Sequence, residues 1–254
     1  MTTFLGGLVS LVFAVFVVWA HRATAPRRAP PAARRQRIVI VGGGFAGVFT
    51  ARALEDALEG RDDVEVLLVS RENYFVFQPM LPEVISGSIG IFDTVSPLRR
   101  LLPRTGIHVR DVESIDVVAK KVRLAPGFQP HAHDVSYDQL VLAPGTVTDF
   151  RGLPGLPEHA LPFKNLADAL ALRSRVIHAL DEADIEDDDR ELRRQLLTFV
   201  VAGGGFSGVE VVAELNDFVR HVARSYPGIR PGELRVVLVH AGDRLDLDQR
   251  ADGE

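Results

Sequence analysis

The chain has 254 residues, 46% hydrophobic and 25% charged, which is enough apolar content for one large domain or two ordinary ones. Its net charge of −5 argues against a surface built to neutralise nucleic-acid phosphates, so nucleic acid is not expected as a partner. It contains no cysteine, which excludes a disulfide framework, a thiolate metal site and a redox-active cysteine pair.

At the N-terminus, Phe4 to Ala20 is an uncharged apolar run of 17 residues. As a helix it reaches about 25 Å, against a bilayer hydrocarbon core of about 30 Å. Trp19 sits at its exit, and Arg22, Arg27, Arg28, Arg34, Arg35 and Arg37 follow it while nothing basic precedes it. The positive-inside rule then predicts a single-pass anchor over residues 1–22 in the cell membrane, surrounded by lipid, with the globular part cytoplasmic. A cleaved signal peptide is the competing reading, since Ala23-Thr24-Ala25 resembles a cleavage site, but the basic n-region of such peptides is missing. Residues 23–36, rich in Pro, Ala and Arg, read as a linker along the membrane surface.

The stretch RIVIVGGGFAG places a β-branched run, Ile38 to Val41, directly before Gly42, Gly44 and Gly47, and helix-compatible residues follow through Leu58. Strand, tight turn and helix in that order form a dinucleotide-binding signature. Gly42 supplies the turn's backbone angles, Gly44 lets the main chain approach a diphosphate, and Gly47 lets the helix close on the strand. The free N–H groups at the helix start then face the phosphates. The pattern recurs as a strand Thr198 to Ala202, glycines Gly203, Gly205 and Gly208, and a helix from about Phe206. Two copies imply two dinucleotides, or one site and its duplicate.

Such a fold also calls for an acidic residue at the end of its second strand, to accept the ribose hydroxyls. Both copies depart from this. Val64 to Ser70 ends in a hydroxyl, and Leu234 to His240 ends in histidine, with Arg235 and Arg244 nearby in sequence. Ser70 still suits a ribose. His240 is either a plain strand-end residue or one that tolerates a 2′-phosphate, so NADH against NADPH stays open. Between the two turns, His131 and His133 read as a polar hairpin rather than a metal site, and no metal is expected. Ala167 to Ala183 has helical spacing, and Asp181 to Asp189 reads as a solvated helix end and loop.

The segments YFVFQPMLPEVISGSI, YDQLVLAPGTVTDFRGLPGLPEHALPFKNLADALALRSRVIHALDEA and LLTFVVAGGGFSGVE together resemble the type II NADH:quinone oxidoreductases, from about Arg37 to about Leu247. The resemblance implies an α/β protein with two Rossmann-like domains, the second inserted in the first. Residues 37–145 would bind FAD and residues 146–254 NADH, or NADPH, with electrons passed to a membrane quinone. It puts the FAD diphosphate on Gly42, Gly44, Phe45, Ala46 and Gly47. Ser70 and Arg71 fall at the adenosine ribose, the Val112 main chain at the adenine, and Gln78 and Pro79 beneath the flavin. Ala143, Pro144 and Gly145 occupy the family's A-T-G turn, where Pro144 removes a backbone donor. Gly203, Gly205, Phe206, Ser207 and Gly208 match the NAD(P)H cradle, and Glu210 matches a carboxylate near the nicotinamide. A first-turn glutamate favoured by the helix dipole is the structural alternative for Glu210. The family's later segments, including its quinone-binding helices, have no counterpart in the sequence, so both domains are expected to be incomplete. A ferredoxin-type reductase or a membrane-tethered nucleotide-binding module without turnover are the competing functions.

Overall fold

The computed structural model describes residues 35–242 except Gln129. The expected anchor at 1–22, all but the last two residues of the expected linker, and Arg244 lie outside the described residues. Among the described residues no helix is long and apolar enough to cross a membrane.

In chain order the elements are β1 (Gln36–Val41), α1 (Phe45–Ala57), β2 (Val64–Ser70), β3 (Tyr74–Val76), a 3₁₀ turn (Gln78–Met80), α2 (Leu81–Ser86), α3 (Ile91–Thr94), β4 (Val95–Pro97), α4 (Leu98–Leu101) and β5 (Gly106–Val109). They continue with β6 (Val112–Asp116), β7 (Lys121–Leu124), β8 (His133–Ser136), β9 (Gln139–Leu142), α5 (Leu156–His159), α6 (Leu166–Ile185), α7 (Arg190–Leu196), β10 (Thr198–Ala202), α8 (Phe206–Val222) and β11 (Arg235–Val239).

Strands β5, β2, β1 and β9 form a parallel sheet in that order. Its central strands are continuous apolar runs because both faces are covered. On one face Ile40, Val66 and Leu68 pack with Val48 and Ala51 of α1 and with Leu98 and Leu102. On the other, Val39, Leu67 and Val69 meet Val122, Leu124 and Val135 from the antiparallel sheet β6-β7-β8, and Tyr137 just after it. Leu68 and Ile40 are fully buried, each contributing about 1.5–3 kcal/mol of hydrophobic stabilisation. The chain runs outward from β1 through β2 to β5 and then returns to β9 on the other side of β1. The strand order therefore reverses at the carboxyl end of β1, the place where open α/β sheets bind ligands.

A second parallel pair, β10-β11, is flanked by α6 and α8, whose Val176, Leu180, Leu215 and Phe218 share one core. Helix α6 starts on a reciprocal capping box, the Asn165 side chain accepting from Asp168 N at 3.0 Å and the Asp168 carboxylate from Asn165 N at 3.0 Å. The short helix α2 belongs by sequence to the first half, yet its Leu81, Val84 and Ile85 are buried in this second core. Arg173 of α6 secures it, donating from Nη1 to Ile85 O at 2.6 Å with its guanidinium over the Phe218 ring at 4.5 Å. Through α2 the first half of the chain is tied to the core of the second.

Candidate functional site

Both turns are built to the same plan. Gly42 has φ +115° and Gly203 φ +113°, a region that only glycine enters freely. Gly42 N donates to Val69 O and Gly203 N to Val239 O, each at 2.8 Å, so each turn begins from the same rung of its ladder. A Cβ on Gly47 would lie 1.8 Å from Gly42 O, and one on Gly208 would lie 1.8 Å from Gly203 O. These glycines let α1 and α8 close on their strands. By contrast, a Cβ on Gly44 or Gly205 would meet nothing within 4 Å. That open space, in front of the first N–H groups of each helix, is where a diphosphate can approach.

The first turn gathers most of its expected partners. A Cβ on Gly42 would sit 2.0 Å from Ala143 O, and Ala143 N donates to Val41 O at 2.8 Å, so Ala143, Pro144 and Gly145 (φ +71°) border the turn at the reversal point. Ser70 is buried at the end of β2, and a Cβ on Gly43 would fall 2.3 Å from its Oγ. Gly43 therefore belongs to the site, although the GxGxxG spacing leaves that position free. Arg110 N donates to Ser70 O at 2.9 Å, which brings the start of β6, and with it Val112, beside the β2 end. Arg71 is exposed on the same rim. Phe45 packs edge-on to Phe75 at 4.9 Å and against Phe77 at 5.5 Å, next to the 3₁₀ turn holding Gln78 and Pro79. The Gln78 amide is engaged, donating from Nε2 to Lys164 O at 3.2 Å.

At the second turn, Phe206 and Ser207 are exposed and Gly204 is buried. Its partner is His240, whose Nδ1 accepts from Gly204 N at 3.1 Å. Arg235 corrects an expectation. It begins β11 opposite Thr198, whereas His240 follows Val239 at the other end, so the five-residue strand of roughly 16 Å separates them.

For Glu210 the structure bears on the helix-dipole alternative. The first turn of α8 holds no acidic residue, and Glu210 lies one position beyond it, which weakens the dipole explanation. It faces Glu83 of α2, whose Oε2 is buried without a hydrogen-bond partner among the described residues. Burial first, and the Glu83 charge second, push the Glu210 carboxyl above its ordinary value. A folded-state value raised in this way favours the protonated form, so the associated stability is present below about pH 4.3 and is lost as pH rises through the raised value. Glu210→Gln is accordingly expected to melt higher than wild type at pH 8 and to match it at pH 4. Melting curves with the same offset at both pH values would refute the coupling.

Residues 36–253 match the family described as pyridine nucleotide-disulphide oxidoreductase. Over 220 residues the chain is 34% identical to the external alternative NAD(P)H-ubiquinone oxidoreductase B4, mitochondrial, of Arabidopsis thaliana, covering 84% of this chain and 37% of that protein. It is also 34% identical over 212 residues to the type II NADH:quinone oxidoreductase NdhA of Mycobacterium tuberculosis, covering 82% and 43%. The structure of NDH2 from Plasmodium falciparum in complex with NADH superposes with a TM-score of 0.75 at 25% identity, over 84% of this chain and 43% of that one. The chain thus spans less than half the length of these relatives. With the duplicated glycine turn, the parallel sheets and a match over nearly all the described residues, the chain belongs to the pyridine nucleotide-disulphide oxidoreductase family.

Proposed function

We propose that this chain carries the nucleotide-binding part of a membrane-associated, FAD-dependent NAD(P)H oxidoreductase that passes electrons to a quinone. The observation that carries the reading is the pair of glycine turns, alike in φ at Gly42 and Gly203 and in the open space at Gly44 and Gly205. The first half, residues 37–145, is read as the FAD domain and residues 146–254 as the NAD(P)H insert. The apolar run Phe4–Ala20 supports tethering to the cell membrane with the body cytoplasmic. Although the family name includes a disulphide, this chain contains no cysteine and contributes no thiol step.

The residues present fit both groups, since a side chain at Gly44 or Gly205 would fill the cradle that is otherwise open. The amides following Gly44, at Phe45, Ala46 and Gly47, would neutralise the FAD diphosphate, with Ser70 and Arg71 at the ribose and Val112 at the adenine. Gln78, Pro79, Ala143 and Gly145 would border the ring. Gly203, Gly205, Phe206, Ser207 and Gly208 would hold the coenzyme diphosphate. Bound flavin supplies a two-electron acceptor for the nicotinamide hydride and hands electrons on. The chain's own work is to tie the first half to the second core through α2 and to exclude water with the Phe45 cluster.

Purified protein should show the visible absorption of bound flavin, bleach under anaerobic NADH or NADPH, and recover colour on adding quinone. A colourless chain that binds neither nucleotide would refute the enzyme reading and leave a tethered module.

A further inference from the structure

The two turns differ in what their second strand ends present, and the difference assigns their adenosines. Ser70 and His240 occupy the same rung, one residue after Val69 and Val239, which accept from Gly42 N and Gly203 N. Ser70 is a hydroxyl, which both donates and accepts, and therefore suits a ribose with free hydroxyls. His240 is different. Its Nδ1 lone pair is used by Gly204 N–H at 3.1 Å, so in the neutral ring the proton sits on Nε2, on the far side of an exposed imidazole. The side chain at the strand end then offers only a donor, which suits a phosphate oxygen better than a ribose hydroxyl that needs an acceptor. Among the described residues 203–208 and 239–242 no side chain is a carboxylate, and Asp243, next in the sequence, lies outside the described residues.

We propose that the second turn takes the 2′-phosphorylated coenzyme, NADPH, in preference to NADH, with His240 Nε2–H donating to the 2′-phosphate. The first turn, with Ser70, keeps a nucleotide whose ribose is unmodified. This rests on the reading of the second turn as the coenzyme site. His240 is thereby a specificity residue whose tautomer is set by the Gly204 amide.

Calorimetric titration of the full chain with NADPH, NADH, 2′,5′-ADP and 5′-ADP tests it without turnover. NADPH should bind roughly tenfold more tightly than NADH, the worth of one charge-assisted hydrogen bond, and 2′,5′-ADP should exceed 5′-ADP similarly. His240→Glu keeps an acceptor for Gly204 while offering a carboxylate to the ribose, and should reverse the order. His240→Ala should erase the preference. Tighter NADH binding by wild type, or a preference that survives His240→Ala, overturns this inference but leaves the coenzyme site standing. Failure of all four ligands to bind overturns the coenzyme-site reading itself.

Discussion

Gly208→Ala is expected to destabilise the protein by about 3 kcal/mol and to abolish coenzyme binding, whereas Gly205→Ala should abolish binding at nearly unchanged stability. The added methyl at 208 would sit 1.8 Å from Gly203 O, far inside any non-bonded contact. That carbonyl cannot yield, because Gly203 is held at φ +113° with its N–H on Val239 O at 2.8 Å. Helix α8 must lift instead, and its Val211, Leu215 and Phe218 leave the core they share with α2 and α6. For a chain of this size the cost corresponds to a fall in melting temperature of roughly 10 °C. At 205 the methyl enters open space, so the fold tolerates it, but it occupies the room through which a diphosphate would approach. Gly47→Ala and Gly44→Ala should repeat the contrast for flavin retention, since Gly47 faces Gly42 O at the same 1.8 Å. Thermal melts and nucleotide titrations of the four variants check it. A Gly208→Ala protein melting with wild type would show that the close approach of helix to strand is unnecessary.

Much of this architecture is written locally. Val64 to Ser70, Thr198 to Ala202 and the start of α8 at Phe206 lie where the β-branched runs and glycines predict, because a buried parallel strand needs an unbroken apolar run and its turn needs glycine at fixed offsets. What depends on distant packing was not legible. The segment around His131 and His133 is the surface hairpin the sequence reads, both histidines being exposed, but that Val122 and Val135 of the same strand pair are buried and cover one face of the main sheet was not legible. Helix α2 carries no mark in its sequence that it will pack into the second core. Its Glu83, and with it the charge facing Glu210, therefore escaped notice. Arg235 shows the reverse error. Nearness in sequence along a strand becomes distance in space, while Gly204 and His240, far apart in sequence, are hydrogen-bonded.

The acidic run Asp181 to Asp189 reads as a solvated helix end and loop, its acidic side chains are mostly exposed, and its backbone carbonyls gather on Arg193, whose removal is expected to cost about 1–3 kcal/mol. Helix α6 ends at Ile185 with carbonyls that lack helical partners. Arg193, only 14% exposed, donates to the carbonyls of Ala183, of Glu186 at 3.1 Å and of Gly228, and its Nε and Nη2 reach Glu233 at 3.0 and 3.2 Å. One guanidinium thus joins the end of α6, the start of α7 and the segment entering β11. Arg193→Met keeps the apolar stem but leaves these acceptors unpaired, and Arg193→Lys does not rescue it because one ammonium cannot serve a fork of partners. The hydrogen bond from Arg193, before any other cause, holds the Glu233 carboxyl below the ordinary range. A depressed folded value contributes stability above about pH 4.3 that is lost as pH falls through it. Wild type should therefore lose stability on acidification more steeply than Arg193→Met, and the gap between the two curves should narrow without closing, since the three carbonyl hydrogen bonds do not titrate. Since β11 supplies the carbonyl that anchors Gly203, coenzyme affinity should fall in the same variant. Equal melting temperatures at pH 7, or parallel curves down to pH 3, would show that the α6 end is held by something other than Arg193.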